Sequence, residues 1–153
     1  MSTLKVDTYL TRGGASEIAI DKLKGVTAAG SMLVVGEGGT VTTNLQQGLC
    51  KSWINFNGTG TIAITDSFNV TSIADEATGY TTVTIANDMA NTTYSVVGSC
   101  GPQVGTSLNV GVTFQHESSP QTATRVAPVT RRRNDNTDVD CTLVYCQIMG
   151  DLA

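Results

Sequence analysis

Charged residues are scarce in this chain of 153 residues: they make up 14%, against about a quarter in an average soluble domain. The net charge of −4 gives no broad electrostatic attraction to nucleic acid. No apolar run approaches the roughly 20 residues that a membrane-spanning helix needs. The first residues, MSTLKVDTYLTRGG, contain no apolar segment typical of a secretory signal. We therefore expect no nucleic-acid partner, no membrane insertion and no export signal.

Cysteines are few and widely spaced. Cys50, Cys100, Cys141 and Cys146 form no CxxC pair, and without an export signal we expect them to be free, buried thiols. Cys141 and Cys146 are an odd number of residues apart, so a regular strand would place them on opposite faces. The spacing therefore argues against a metal site that both thiols share.

Residues for catalysis or metal binding are also rare. His116 is the only histidine, and Glu117 and two serines beside it in a loop do not make a catalytic triad. Asp135, Asp138 and Asp140 resemble part of a calcium loop but lack the glycine and glutamate of an EF-hand, which leaves a loose oxygen-ligand site as an alternative. The sequence therefore predicts no catalytic residue, no metal site and no cofactor.

Glycine, threonine and serine are abundant, and from Trp53 onwards they separate short runs of alternating apolar residues. This pattern is typical of antiparallel strands with one buried face. Asn57-Gly58 between two such runs predicts a hairpin whose two turn residues have positive φ. We expect an all-β fold, an antiparallel, jelly-roll-like β-sandwich knob over 53–153, with strands near 53–57, 61–65, 67–73, 80–86, 93–99, 106–115, 123–130 and 139–148.

The first 43 residues differ from the rest of the chain. Short strand-like runs at 3–10, 17–20 and 31–35 are separated by glycine-containing breaks and cannot bury a core of their own. Such a segment usually gains its order from other chains. We interpret residues 1–43 as an extended attachment arm.

A short helix is predicted over 44–52, with Asn44 as its N-cap. Leu45, Leu49 and Trp53 are spaced at i, i+4 and i+8, on one face of a helix. A helix this short is marginal in water, and several copies that meet around an axis would stabilise it. The alternative is that the same face packs on its own β domain. We predict that Leu45, Leu49 and Trp53 form an oligomer interface.

One basic cluster stands out, formed by Arg125, Arg131, Arg132 and Arg133. Acidic residues lie within seven positions of it, so the cluster can be neutralised by its own neighbours or by an adjacent subunit. The other interpretation is contact with an anionic surface partner.

Several segments resemble virion appendage proteins of tailed bacteriophages, especially those of marine and cyanobacterial podoviruses. The most specific are TTNLQQGLCKSWINFNGTGT, DSFNVTSI and ANTTYSVVG, within a resemblance that covers about residues 1–99. The family more often has alanine at the position of Cys50. The resemblance implies a homotrimeric, non-enzymatic virion protein, described in the family as tail-fibre-like, with an N-terminal arm and a C-terminal β knob.

The sequence and the resemblance together predict a structural virion protein, assembled in the host cytoplasm, that binds other capsid or tail proteins through residues 1–43. Its expected role is adhesion to the host surface, including surface polysaccharide, or decoration of the capsid. A carbohydrate-binding β-sandwich without a viral role is the alternative, although it needs an aromatic platform and most aromatic residues fall on predicted core faces. A depolymerase would need paired carboxylates, for which Asp66 with Asp75 or Glu76 are the candidates.

Overall fold

A computed structural model describes residues 32–36, 38–101, 110–114 and 120–153. Within these ranges all strand pairs are antiparallel, and no helix is long and apolar enough to cross a membrane. The elements, in chain order, are β1 (Leu33–Val35), β2 (Thr42–Asn44), α1 (Leu45–Gly48), β3 (Cys50–Asn57), β4 (Ala63–Phe68), β5 (Val70–Ala77), β6 (Tyr80–Ile85), β7 (Ser95–Cys100), β8 (Val110–Thr113), β9 (Arg125–Val126), β10 (Val129–Arg132) and β11 (Val144–Met149).

One sheet has four strands in the order β4-β3-β11-β7. The last strand of the chain is therefore central: Cys146 lies opposite Ile54 of β3 on one side and opposite Gly98 of β7 on the other. Residues 144, 146 and 148 are buried, and the residues between them are exposed. This alternation gives the sheet one face in the core and one outer face.

The second sheet has five strands, in the order β5-β6-β10-β8, with β9 also paired with β6. Because β5 occupies one side of β6, both β9 and β10 lie along its other side. Pro128 separates them, since proline has no N–H to donate to a neighbouring strand. Its carbonyl oxygen still accepts a hydrogen bond of 3.2 Å from the backbone N–H of Thr81.

The core lies between the two sheets, so the expected all-β antiparallel sandwich is confirmed. The four-stranded sheet contributes inward side chains from β3 and β11, and the five-stranded sheet contributes side chains from β6, β8 and β9. Burial of these apolar side chains is the main stabilising term for such a fold. The largest members of the core are Ile54, Phe56, Val83, Ile85, Met89, Tyr94, Val110, Val126, Val139, Val144 and Ile148.

The helix is shorter than predicted. Asn44 is its N-cap as expected, and its side-chain oxygen accepts a hydrogen bond of 3.1 Å from the backbone N–H of Gln47. The helix then ends at Gly48, and β3 begins at Cys50. The prediction of a helix through residue 52 is therefore wrong, because Cys50 and Ser52 already pair with β11 as part of a strand. A helix this short is marginal on its own, so long-range strand pairing prevails.

The hairpin between β3 and β4 forms as predicted, but its turn differs. In this loop only Gly60 has a positive φ, at 63°, so Asn57 and Gly58 do not form the tight two-residue turn. The side-chain oxygen of Asn57 instead accepts hydrogen bonds from the backbone N–H and the hydroxyl of Thr59, at 3.0 and 2.7 Å. A local side-chain contact of this kind stabilises a longer loop.

All four cysteines are free, as predicted, and Cys141 and Cys146 are buried while Cys50 and Cys100 are half-buried. The expectation that Cys141 and Cys146 lie on opposite faces is wrong, since both belong to the same core. The reason is that β11 begins only at Val144, so Cys141 lies in the irregular segment before it.

Before the sandwich, β1 and β2 pair with each other as a separate hairpin. It is followed directly by α1, and the backbone N–H of Leu45 donates a hydrogen bond of 2.9 Å to the carbonyl oxygen of Met32. The strand predicted at 31–35 is confirmed as β1. The strands predicted at 3–10 and 17–20 lie outside the described residues.

Candidate assembly surface

The solvent-facing side of the four-stranded sheet carries an apolar surface. Trp53, Phe68 and Tyr145 lie on it, because each alternates with core-facing neighbours in its strand. We call this side the outer face; its apolar members are Trp53, Phe68, Val97, Tyr145 and Met149.

Strand register aligns the outer face into a continuous row. Phe68 of β4 lies opposite Trp53 of β3, Trp53 lies opposite Gln147 of β11, and Gln147 lies opposite Val97 of β7. Trp53 is half-buried, whereas Phe68 and Val97 are 54% and 52% exposed. A row of this kind spans all four strands and presents large apolar side chains to solvent.

Few charges interrupt the outer face. Asp66, opposite Asn55, is its one exposed carboxylate among the described residues. Lys51 is only 8% exposed, and its ammonium group donates hydrogen bonds to the carbonyl oxygens of Gln46 and Leu49. The positive charge of Lys51 is thus directed at the end of α1, where unpaired carbonyl groups favour a cation. The outer face is therefore close to uncharged.

A cleft of about 700 Å³ adjoins the outer face where α1 meets the C-terminal residues. Leu49, Phe68 and Leu152 form its apolar wall. The side-chain amide of Gln47 donates to the carboxylate of Asp151, at 3.3 and 3.4 Å, across its polar side. Because Phe68 belongs both to the cleft and to the outer face, the two form one continuous surface.

The β1–β2 hairpin is a second apolar surface. Leu33, Val34, Val35 and Val41 are 56%, 49%, 59% and 73% exposed. Consecutive strand residues point to opposite faces, so this hairpin is apolar and exposed on both sides. An isolated two-stranded hairpin is marginally stable in water at best. The hairpin thus has the properties of a segment that another protein surface covers.

The three residues predicted as an oligomer interface do not share a helix face. Leu45 lies in α1 and is half-buried, Leu49 follows α1, and Trp53 lies in β3. Phe68 nevertheless connects two of them, since it lines the cleft with Leu49 and lies opposite Trp53. Their role as an interface stays a prediction, now with a different geometry.

Sequence reasoning missed Phe68, Val97 and Met149 as members of this surface. The alternation within β4, β7 and β11 was visible in the sequence. It could not reveal which of the two sheets each strand joins, and so could not show that these side chains lie together.

The basic cluster is partly neutralised by its own loop. Arg131 forms an ion pair with Asp138, and the guanidinium of Arg132 lies 3.7 Å from the carboxylate of Asp135. The pKa of Asp135 is lowered, mainly by a hydrogen bond from the backbone N–H of Thr137. Contact with an anionic partner stays a prediction for all four arginines. Of the other two, Arg125 is half-buried in β9 and Arg133 is exposed.

The carboxylates considered for catalysis or metal binding are separated in the structure. Asp66 lies in the four-stranded sheet, whereas Asp75 and Glu76 lie in β5 of the other sheet. In the calcium-like stretch, Asp140 accepts a hydrogen bond of 2.6 Å from the backbone N–H of Gly79, away from the ion pairs of its neighbours. Within the described ranges no three His, Cys, Asp or Glu side chains are grouped to hold a metal ion. His116 and Glu117 lie outside those ranges.

Comparison with protein-family models, with curated proteins and with solved structures gave no match for this chain.

Proposed function

We propose that this chain is a non-enzymatic structural protein of a tailed-bacteriophage virion, a short homotrimeric fibre or knob that serves in host adhesion or capsid decoration. The observation that carries the proposal is the exposed apolar hairpin, β1–β2, attached to a well-packed sandwich. A chain that ends its arm in such a hairpin needs a protein surface to cover it. An arm that binds the particle or other subunits supplies that surface.

The sequence resemblance supplies the viral context, and the fold is compatible with it. The resemblance implies an arm followed by a β knob, and the sandwich begins where the most specific matching segment, TTNLQQGLCKSWINFNGTGT, enters β3. In this proposal residues 1–43 bind capsid or tail proteins, and the sandwich projects from the particle.

Two measurements test the proposal. Peptides of this chain should be found by mass spectrometry in purified particles of the phage that encodes it, at a copy number that is a multiple of three. The purified protein should have three times the 16.0 kDa mass of one chain in solution. Absence from purified particles would exclude the virion role, whatever the solution mass.

A second function, carbohydrate binding, is favoured by one specific observation. Trp53, Phe68 and Tyr145 lie on the outer face rather than in the core, although most aromatic residues were expected on core faces. Aromatic rings flanked by amide and carboxylate groups, here Asn55 and Asp66, suit sugar rings. Affinity electrophoresis in gels that contain host polysaccharide would separate the two functions: retardation that Tyr145→Ala abolishes supports sugar binding, and unchanged mobility excludes it.

A further inference from the structure

We infer that the β1–β2 hairpin and the outer face are the two halves of one contact between copies of this chain. The hairpin of each copy packs on the outer face of the next copy, and the contact repeats around a closed ring. This inference rests on the homo-oligomer in the proposed function and names the surfaces that form it.

The first argument is where the exposed apolar side chains lie. Twelve large apolar side chains are exposed in the described part of the chain. Ten of them lie on the hairpin, on the outer face or in the cleft that adjoins the outer face. Single exposed apolar residues are ordinary on protein surfaces, whereas contiguous patches mark interaction sites. The ten are Leu33, Val34, Val35 and Val41 of the hairpin, Phe68, Val97, Tyr145 and Met149 of the outer face, and Leu49 and Leu152 of the cleft.

The second argument is charge. Glu37 is the only charged residue in the sequence from 32 to 44, and the outer face exposes a single carboxylate, that of Asp66. Interface cores are depleted in charged residues and enriched in aromatic residues and methionine. Copies that each carry a net charge of −4 repel one another, and contact through these surfaces brings few of those charges close together.

The third argument is area. Four strands spaced about 4.8 Å apart and six residues long, at about 3.3 Å per residue, cover roughly 400 Å² in projection. A stable interface uses about 800 Å² of each partner. The projected area of the outer face is smaller than this value, and the projected area of the hairpin is smaller still. In a ring each copy takes part in two such contacts, so each single contact is small and closure of the ring stabilises all of them together.

The connection between hairpin and sandwich favours a neighbouring copy over the same chain. Asn44 is both the last residue of β2 and the cap of α1, and β3 follows at Cys50. There is therefore no linker that would let the hairpin fold back, and its side chains are exposed rather than packed on its own outer face. Two different surfaces that meet head to tail form a heterologous contact, which closes into a ring when the rotation allows.

Two variants of the full chain test the contact, one for each half. Val35→Glu places a charge on the hairpin, and Val97→Glu places one on the outer face; these positions are 59% and 52% exposed, so the sandwich core is untouched. Ala74→Glu is the control, because Ala74 is exposed in β5 of the other sheet and belongs to neither surface. Far-ultraviolet circular dichroism and thermal unfolding confirm that each variant is folded before its mass is measured by analytical ultracentrifugation.

We expect Val35→Glu and Val97→Glu each to sediment as a monomer and Ala74→Glu to keep the mass of the unmodified oligomer. Mixing the two monomeric variants at high protein concentration should give a two-chain species, because the intact hairpin of Val97→Glu fits the intact outer face of Val35→Glu. This single contact is weaker than the contacts of the unmodified oligomer, since the ring cannot close. A mixture that stays monomeric overturns the head-to-tail contact, as does either variant that keeps the unmodified mass. An unmodified chain that is monomeric also overturns it, and the virion role is then still decided separately by the peptides found in purified particles.

Discussion

Trp53 and Phe68 lie directly opposite each other across the β3–β4 pair, on the solvent-facing side of their sheet. Aromatic side chains in facing positions stabilise a strand pair by about 1 kcal/mol beyond the area they bury. We expect Phe68→Ala to lower the free energy of unfolding by about this amount, measured by urea denaturation in the Val97→Glu background, where assembly does not contribute. A double-mutant cycle with Trp53→Ala isolates the pair, and a coupling near zero would show that the two rings do not interact.

Trp53 is the only tryptophan, so its fluorescence reports on the outer face without interference. Burial of an indole ring removes it from water and moves its emission to shorter wavelength. If the outer face is covered between copies, the emission maximum should move to shorter wavelength as protein concentration rises, in step with the mass. Val97→Glu should show the longer-wavelength emission at every concentration. A spectrum that is constant while the mass increases would place Trp53 outside the contact.

Gly79 and Gly60 both have a positive φ but differ in their surroundings. Comparing Ala substitutions at the two positions separates the free-energy cost of backbone strain from the cost of steric overlap. Their φ values are 70° and 63°. A Cβ at Gly79 would lie 2.6 Å from the carbonyl oxygen of Thr130, whereas nothing lies within 4 Å of one at Gly60. Gly60→Ala should cost about 1 kcal/mol from backbone strain alone, and Gly79→Ala about 3 kcal/mol or more, because strand β10 must also move. Thermal unfolding of both variants measures the difference, and equal costs would show that β10 yields freely.

Most strands could be predicted from the sequence because each has one face in the core. β6 was expected at residues 80–86 and forms at Tyr80–Ile85, where Val83 and Ile85 point inward between threonines. The short strands β9 and β10 were expected as one strand. The alternation of apolar residues does not show the break, which arises because Pro128 has no backbone N–H to donate to a neighbouring strand. Local pattern therefore gives the existence of a strand more reliably than its ends.

The region around Trp53 was predicted less well for a different reason. Three apolar residues at i, i+4 and i+8 fit a helix, but the same residues also fit a helix turn followed by a strand. Partners distant in sequence decide between these: Trp53 lies opposite Gln147 and Phe68. The outer face depends on the same long-range pairing, which places residues of β3, β4, β7 and β11 side by side.

Buried thiols should make the protein sensitive to alkaline pH. Burial, with a smaller contribution from Cys50, raises the pKa of Cys146 from its ordinary value of 9.0 to about 12. Burial also raises the pKa of Tyr94, whose hydroxyl donates to the carbonyl oxygens of Thr122 and Arg125, from 10.0 to about 12. The unfolded chain releases these protons at the ordinary pKa, whereas the folded chain retains them up to about pH 12. These groups therefore do not lower the free energy of unfolding below pH 9, but they lower it progressively as pH rises from 9 towards 12.

Cys146→Ala removes one of these groups, so its stability should decline less steeply than that of the unmodified chain over this window. Urea denaturation at pH 7, 9, 10 and 11, with a reductant present, measures the slope. Val144→Ala is the control: Val144 is buried in the same strand, so the substitution lowers stability through a cavity at every pH but leaves the slope unchanged. If Cys146→Ala and the unmodified chain lose stability in parallel between pH 9 and 11, the Cys146 thiol is not held protonated by burial. Tyr94 and the Cys100 thiol, whose pKa burial also raises, then account for the decline.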